Sequence, residues 1–187
     1  MANPDSRRKT DKRLQRIMLV HHEQNTLNAL AIALADPAYH CESIRDPKMA
    51  KKRARNMHFD LILCNYQLPG TNGVQLVQEI KTQQTDIASV ILTGFTNLGT
   101  VIDAVKRGDI LCYINKPFEN IALRKTVKLA LQTGRLTSSL SSDLGHNKNS
   151  ALAELEAHYP GITEGKWTGS YEKQKWQKKR GLDKPTS

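Results

Sequence analysis

Phe59-Asp60-Leu61-Ile62-Leu63-Cys64-Asn65, followed closely by Leu68-Pro69-Gly70-Thr71-Asn72-Gly73, is the stretch that decides the fold. Within the first run, Asp60 to Asn65 is apolar between its two ends, without polar alternation, which predicts a strand buried on both faces. The second collects turn formers, and Val74, Val77 and Ile80 beyond it lie on one face of a helix. Strand, turn and helix then recur in both directions. Upstream, Ile17-Met18-Leu19-Val20 is a short apolar run ended by His21-His22-Glu23, and Leu27, Leu30, Ala31 and Leu34 mark a helical face. Tyr39–Ile44 reads as a strand, and Asp46-Pro47 opens a helix with an N-cap acceptor and a proline pre-set at the first position. That helix contains Lys51, Lys52, Arg53 and Arg55, so its outer face is basic. Downstream come a strand at Ala88–Thr93, a helical face at Val101, Ala104 and Val105, and a strand at Leu111–Asn115 stopped by Lys116-Pro117. Leu123, Val127, Ala130 and Leu131 predict a last helix. Five strands alternating with five helices predict an α/β unit whose parallel sheet is covered on both faces. In open sheets of this kind the working site lies at the carboxyl ends of the strands. Those ends hold His21-His22-Glu23, Asn65, Thr93 and Lys116.

The flanks differ from this apolar middle. Of 187 residues 39% are hydrophobic, and the formal charge is +10. Residues 1–16 carry six basic and two acidic groups, residues 17–137 fourteen and ten, and residues 138–187 eight and six. Such a balance favours anionic partners and leaves the fold open. No apolar run approaches the ~20 residues needed to cross a bilayer, and the basic N-terminus lacks the apolar stretch of a secretory signal. Cys41, Cys64 and Cys112 stand apart in strand-like segments and read as buried thiols of a reducing, cytoplasmic protein. The expected organisation is a basic arm over 1–15, one domain over 16–134, a Ser/Asn-rich linker over 135–150 and a basic, aromatic tail over 151–187.

Four motifs at successive strand ends carry a resemblance to a known family. Ile17-Met18-Leu19-Val20-His21-His22-Glu23 resembles the first strand of response-regulator receiver domains, where an acidic pair stands in place of the two histidines. Phe59 to Asn65, with Leu68-Pro69-Gly70 and Gly73, is similar to the third strand and its loop, and Asn65 stands where the family has its phospho-accepting Asp. Ile91-Leu92-Thr93-Gly94 matches the fourth strand, with Thr93 as the family's hydroxyl. Tyr113-Ile114-Asn115-Lys116-Pro117-Phe118 matches the fifth, with Tyr113 as the switch aromatic and Lys116 as the family's lysine. The resemblance covers roughly residues 15–134. It implies a flavodoxin-like, doubly wound (βα)5 sandwich of the CheY-like type, with strand order 2-1-3-4-5. It also implies phosphorelay signalling in a bacterial two-component system, as part of a response regulator.

The departures from the family bear on function. The resemblance implies three carboxylates that hold Mg²⁺, one of which takes the phosphoryl group. Mg²⁺ wants hard oxygen ligands, whereas imidazoles suit softer metals, and a carboxamide cannot form an acyl phosphate. Glu23 is the only acid left nearby in sequence. The expectation is therefore a degenerate receiver, or pseudo-receiver, with no catalytic residue, no cofactor, no metal and no enzymatic activity. It acts by protein–protein interaction. Adjacent strand residues point to opposite faces, so His21 and His22 share an ion only if the strand end bends.

The segment around the last strand and helix offers Lys106, Arg107, Tyr113, Arg124, Lys125 and Lys128 as an interface for an acidic partner. Candidate partners are a histidine kinase, another response regulator, an effector enzyme, or a second copy paired through that face. The tail interleaves Trp167, Tyr171 and Trp176 with lysines. This pattern fits protein contact, docking on the chain's own domain, or nucleic acid. The rival reading is a nucleic-acid-associated regulator that uses the basic arm, the basic second helix and the aromatic tail.

Overall fold

The computed structural model describes residues 13–143; the arm before them and the tail with Trp167, Tyr171 and Trp176 lie outside the described residues. Five parallel strands form the sheet: β1 (Gln15–Val20), β2 (Tyr39–Ile44), β3 (Leu61–Asn65), β4 (Ala88–Thr93) and β5 (Cys112–Asn115). Their order is β2-β1-β3-β4-β5, the doubly wound arrangement expected. Every residue of β3 is buried, as an unalternating apolar run in the middle of a two-sided sheet requires.

Period-two geometry sorts the apolar residues into two cores. Ile17, Leu19, Leu61, Leu63, Val90 and Leu92 face helices α1 (Gln24–Ala33) and α5 (Asn120–Asp143). Met18, Val20, Ile62, Cys64 and Ile91 face α2 (Pro47–Asn56), α3 (Gly73–Lys81) and α4 (Leu98–Lys106). Cys64 and Cys112 are buried free thiols, and burial pushes the Cys112 pKa up to about 12. Cys41 is free and only partly buried.

Local chemistry fixes the helix starts. The Asp46 carboxylate accepts from the Lys48 amide at 2.9 Å, with Pro47 at the first helical position. Asn72 and Gln75 cap α3 reciprocally, a capping box unnoticed in the sequence reading. Before it, Gln67–Leu68 and Thr71–Asn72 pair as a small hairpin around Pro69-Gly70, where Gly70 takes a φ of 72°.

Several boundaries differ from the expectation: β1 begins earlier, at Gln15, and β3 begins at Leu61 instead of Asp60. β5 starts at Cys112, one residue after Leu111, whose amide still bonds to the Ser89 carbonyl at 3.0 Å. Helix α5 continues to Asp143, into the stretch read as linker. Its buried turns, with Leu123, Val127, Ala130 and Leu131, nucleate the helix. Serine and threonine are weak helix formers but do not stop propagation once that nucleus exists.

Candidate functional site at the strand tips

The site is the rim where β1, β3, β4 and β5 end. Residues 17, 19 and 21 share one side of β1, and 61, 63 and 65 share one side of β3. Since β1 and β3 are paired in register from Ile17↔Leu61 to Val20↔Cys64, His21 and Asn65 leave adjacent strands on matching sides. Gly73 holds the loop after β3 against its strand. Its amide donates to the Tyr66 carbonyl at 2.7 Å, and a Cβ there would stand 2.4 Å from the Asn65 carbonyl oxygen.

Lys116 organises what the tips contain. Its Nζ donates to Asn65 Oδ1 at 2.9 Å and lies 2.9 Å from His21 Nε2. The other half of the Asn65 amide donates to the Gln67 carbonyl at 2.5 Å and stands 3.5 Å from His22 Nδ1. His21 has only 1% of its side chain exposed, and His22 has 43%. The strand end does bend: the two rings stack, with centroids 4.7 Å apart and planes 16° from parallel. Thr93 is buried and its hydroxyl donates to the neighbouring Gly94 carbonyl at 3.1 Å. Tyr113 is half-buried against the α2–α4 core, and its pKa is raised by burial.

The electrostatics follow from burial and charge. His21 is pulled down from 6.5 to about 4, first by burial, then by the Lys116 charge and by His22, with Glu23 opposing. Lys116 is itself lowered by burial, again against Glu23. The Glu23 backbone N–H donates to His21 Nδ1 at 3.0 Å, so the neutral ring carries its proton on Nε2. That proton points at Lys116 Nζ. A neutral imidazole has one acceptor nitrogen, so His21 can satisfy only one of the two donors that face it, the Glu23 N–H and Lys116 Nζ.

Could these groups hold the divalent ion that the family resemblance implies? His21, His22 and Glu23 bring one ligand atom each within 4.8 Å of one another. Yet His21 Nδ1 already accepts from the Glu23 N–H and Nε2 is covered by Lys116 Nζ at 2.9 Å, and Lys116 and the N-terminal pole of α1 add positive character. Glu23 is exposed, its pKa lowered chiefly by the Thr26 hydroxyl. Imidazoles and a carboxamide are not the hard oxygen set that Mg²⁺ needs. The donor set does not fit that ion.

The sequence reading missed three contributors: the backbone of Glu23 and Gln67, and Arg45. Arg45 Nε donates to the His22 carbonyl at 3.2 Å, and Arg45 lines a cavity of about 280 Å³ with His22, Asp46, Pro47 and Pro69. No motif marks Arg45. Among the candidate interface residues, Arg107 is paired with Asp109, and Arg124 donates to the Ala33 carbonyl at the end of α1. Lys106, Lys125 and Lys128 are exposed.

Comparison with known proteins agrees with the fold and the order of motifs. The chain is 28% identical over 123 residues to the transcriptional regulatory protein ZraR of Klebsiella oxytoca, covering 66% of this chain and 28% of that protein. It is 30% identical over 118 residues to the response regulator protein PilR of Pseudomonas aeruginosa, covering 63% and 26%. The chain thus spans little more than a quarter of these relatives. Among solved structures it is similar to a signal receiver domain of an HD domain-containing protein from Pseudomonas fluorescens Pf-5. That match has a TM-score of 0.63 at 25% identity and covers 68% of this chain and 93% of that one. A structure described as adenylate cyclase from Rhodopirellula baltica has a TM-score of 0.67 at 22% identity, covering 71% and 98%, and speaks for the fold alone. The family model described as response regulator receiver domain matches residues 17–128, and with five strands in receiver order the chain belongs to that family.

Proposed function

We propose that this chain is a pseudo-receiver, which works in a two-component-type pathway through protein contacts and without being phosphorylated. One observation carries the reading. Lys116 Nζ, bonded to Asn65 Oδ1 and lying against His21 Nε2, occupies the space between the strand tips with contacts internal to the protein. An incoming phosphoryl group would meet a carboxamide in place of a nucleophile, and imidazoles in place of a magnesium cradle. The bond from Thr93 to its own loop supports tips that keep one arrangement. The partner would read that fixed surface on a signalling protein of the kinase, regulator or effector class. Lys106, Arg107, Arg124, Lys125 and Lys128, with Tyr113, are the contacts we assign to an acidic partner face; Arg107 is also paired with Asp109, and Arg124 also donates to the Ala33 carbonyl. No described helix is long and apolar enough to cross a membrane.

The test is direct. Incubation with acetyl phosphate and Mg²⁺ should give no hydroxylamine-labile phosphorylated species, and beryllofluoride should leave the amide spectrum around Asn65 and Thr93 unchanged. A labelled protein, or clear shifts at those residues, would overturn the proposal.

A further inference from the structure

Helix α2 carries a charge pattern that the strand-tip site does not use. Its ten residues, Pro47 to Asn56, hold five cations and no anion. Pro47, Ala50 and Ala54 are buried, which sets the rotation of the helix. Lys48, Lys51, Lys52 and Arg55 then fall at i, i+3, i+4 and i+7 on one flank. Lys51 is paired with Glu79 of α3 at 2.8 Å, and Arg53, on the other flank, is paired with Glu42. Lys48, Lys52 and Arg55 are exposed, and among the described residues their side chains have no hydrogen-bond or ion-pair partner.

Lys51 gains an ion pair with Glu79 and Arg55 stands in the last turn, where a cation is favoured, but the fold gains little from the rest of the arrangement. Lys48 sits in the first turn, at the positive pole of the helix, where a cation is unfavourable. Like charges four apart, Lys48 with Lys52 and Lys51 with Arg55, repel. The basic track also extends past both ends of the helix. At the top, the exposed Arg45 adjoins Lys48 across the N-cap Asp46 and holds the His22 carbonyl. At the bottom, the Arg16 guanidinium lies on the Met57 sulfur at 3.9 Å, immediately after the helix. The sequence that precedes Arg16 contains Arg7, Arg8, Lys9, Lys12 and Arg13.

We propose that this flank of α2 binds the phosphate backbone of duplex nucleic acid, without reading its sequence. The inference goes beyond the signalling role and does not depend on it. Aromatic anchors are enriched in protein–protein interfaces, and this flank, unlike the face that carries Tyr113, has no aromatic side chain. Met49, the helix's exposed apolar residue, lies to one side of the stripe. Spaced cations alone suffice for a phosphate backbone. The stripe runs roughly 10 Å along the helix axis, comparable with the width of the major groove, about 12 Å.

The experiment uses the full chain and a short, fluorescently labelled duplex of random sequence, titrated between about 50 and 200 mM salt. Binding should weaken steeply with salt. The variant Lys48→Ala/Lys52→Ala/Arg55→Ala should lose at least about tenfold in affinity at low salt and flatten the logarithmic salt slope by about 2 to 3. Its melting temperature should not fall, because the exchange removes repulsion. A control with the same charge change elsewhere, Lys106→Ala/Lys125→Ala/Lys128→Ala, should stay close to the parent. Four results would each overturn the proposal: no duplex binding at the lowest salt, a stripe variant that binds like the parent, equal losses in both variants, or tighter binding of a polyglutamate peptide than of the duplex. The last would assign the stripe to an acidic protein. None of these outcomes touches phosphorylation, so the signalling proposal stands or falls separately.

Discussion

The two halves of the strand-tip rim have different histories written in their residues. The β4–β5 half keeps what receivers place there: Thr93, Tyr113 and Lys116. The β1–β3 half has imidazoles and a carboxamide where the family has acids: His21, His22 and Asn65. In an active receiver the lysine of the first half answers the negative charge of the second. On the proposed pseudo-receiver reading that charge is gone, and Lys116, 2.9 Å from an amide oxygen and from the His21 ring, has no anion at those positions to answer. On that reading the retained residues keep their positions but lose their former counterpart. Motif retention at one half of a site therefore says little about chemistry when the other half has changed.

The largest effect should come from making the halves match again. His21→Asp/His22→Asp/Asn65→Asp restores three carboxylates opposite Lys116, and acetyl phosphate with Mg²⁺ should convert it from unlabelled to substantially phosphorylated. Asn65→Asp alone should remain poorly labelled, because the magnesium ligands would still be imidazoles. Phosphate-affinity electrophoresis reads both. Efficient labelling of the single variant would mean that the histidines do not block the ion, and the contrast between the halves would collapse to one residue.

A smaller effect, still measurable, is the pH dependence of stability. His21 titrates at about 4 when folded and near 6.5 when unfolded. Between those values the unfolded chain binds the extra proton, so stability rises with pH from about 4 and is complete above about 6.5. A shift of this size is worth about 3 kcal/mol, lost on acidification through that window. Urea unfolding of the parent and of His21→Gln across the window checks it: the variant should lack this component. A parent curve with no rise over that range would mean that His21 is solvated and that Lys116 does not face it.

Much of this was legible from residues alone, for identifiable reasons. The β3 run read over Asp60–Asn65, the Asp46-Pro47 start of α2 and the Leu123-Val127-Ala130-Leu131 face are local signals, and the fold uses them to within one residue. What sequence left open depends on contacts between distant segments. The bridge from Lys116 to Asn65 spans 51 positions, and that from Lys116 to His21 spans 95. Stacking of His21 on His22 needs a bend that alternation along a strand does not predict. Arg124 carries the same charge as Lys125 in sequence and both are exposed, yet only the Arg124 side chain reaches back to cap the last carbonyl of α1. The reach of α5 to Asp143 reflects propagation from a buried nucleus, and composition alone underweights that.

The smallest expected effect probes the retained half. In active receivers the hydroxyl at the Thr93 position answers the phosphoryl group; here it donates only as far as the Gly94 carbonyl beside it, in a site with 1% exposure. Thr93→Val keeps the shape and removes that single neutral hydrogen bond, which is worth about 1 kcal/mol. Because Tyr113 packs on the α2–α4 core, its ring environment should not change with the substitution. Denaturant unfolding together with the aromatic spectrum of Tyr113 separates the outcomes. A loss well above about 1 kcal/mol, or a displaced Tyr113 signal, would show that the hydroxyl still couples the rim to the β5 face. The retained half would then be a working switch awaiting some other input.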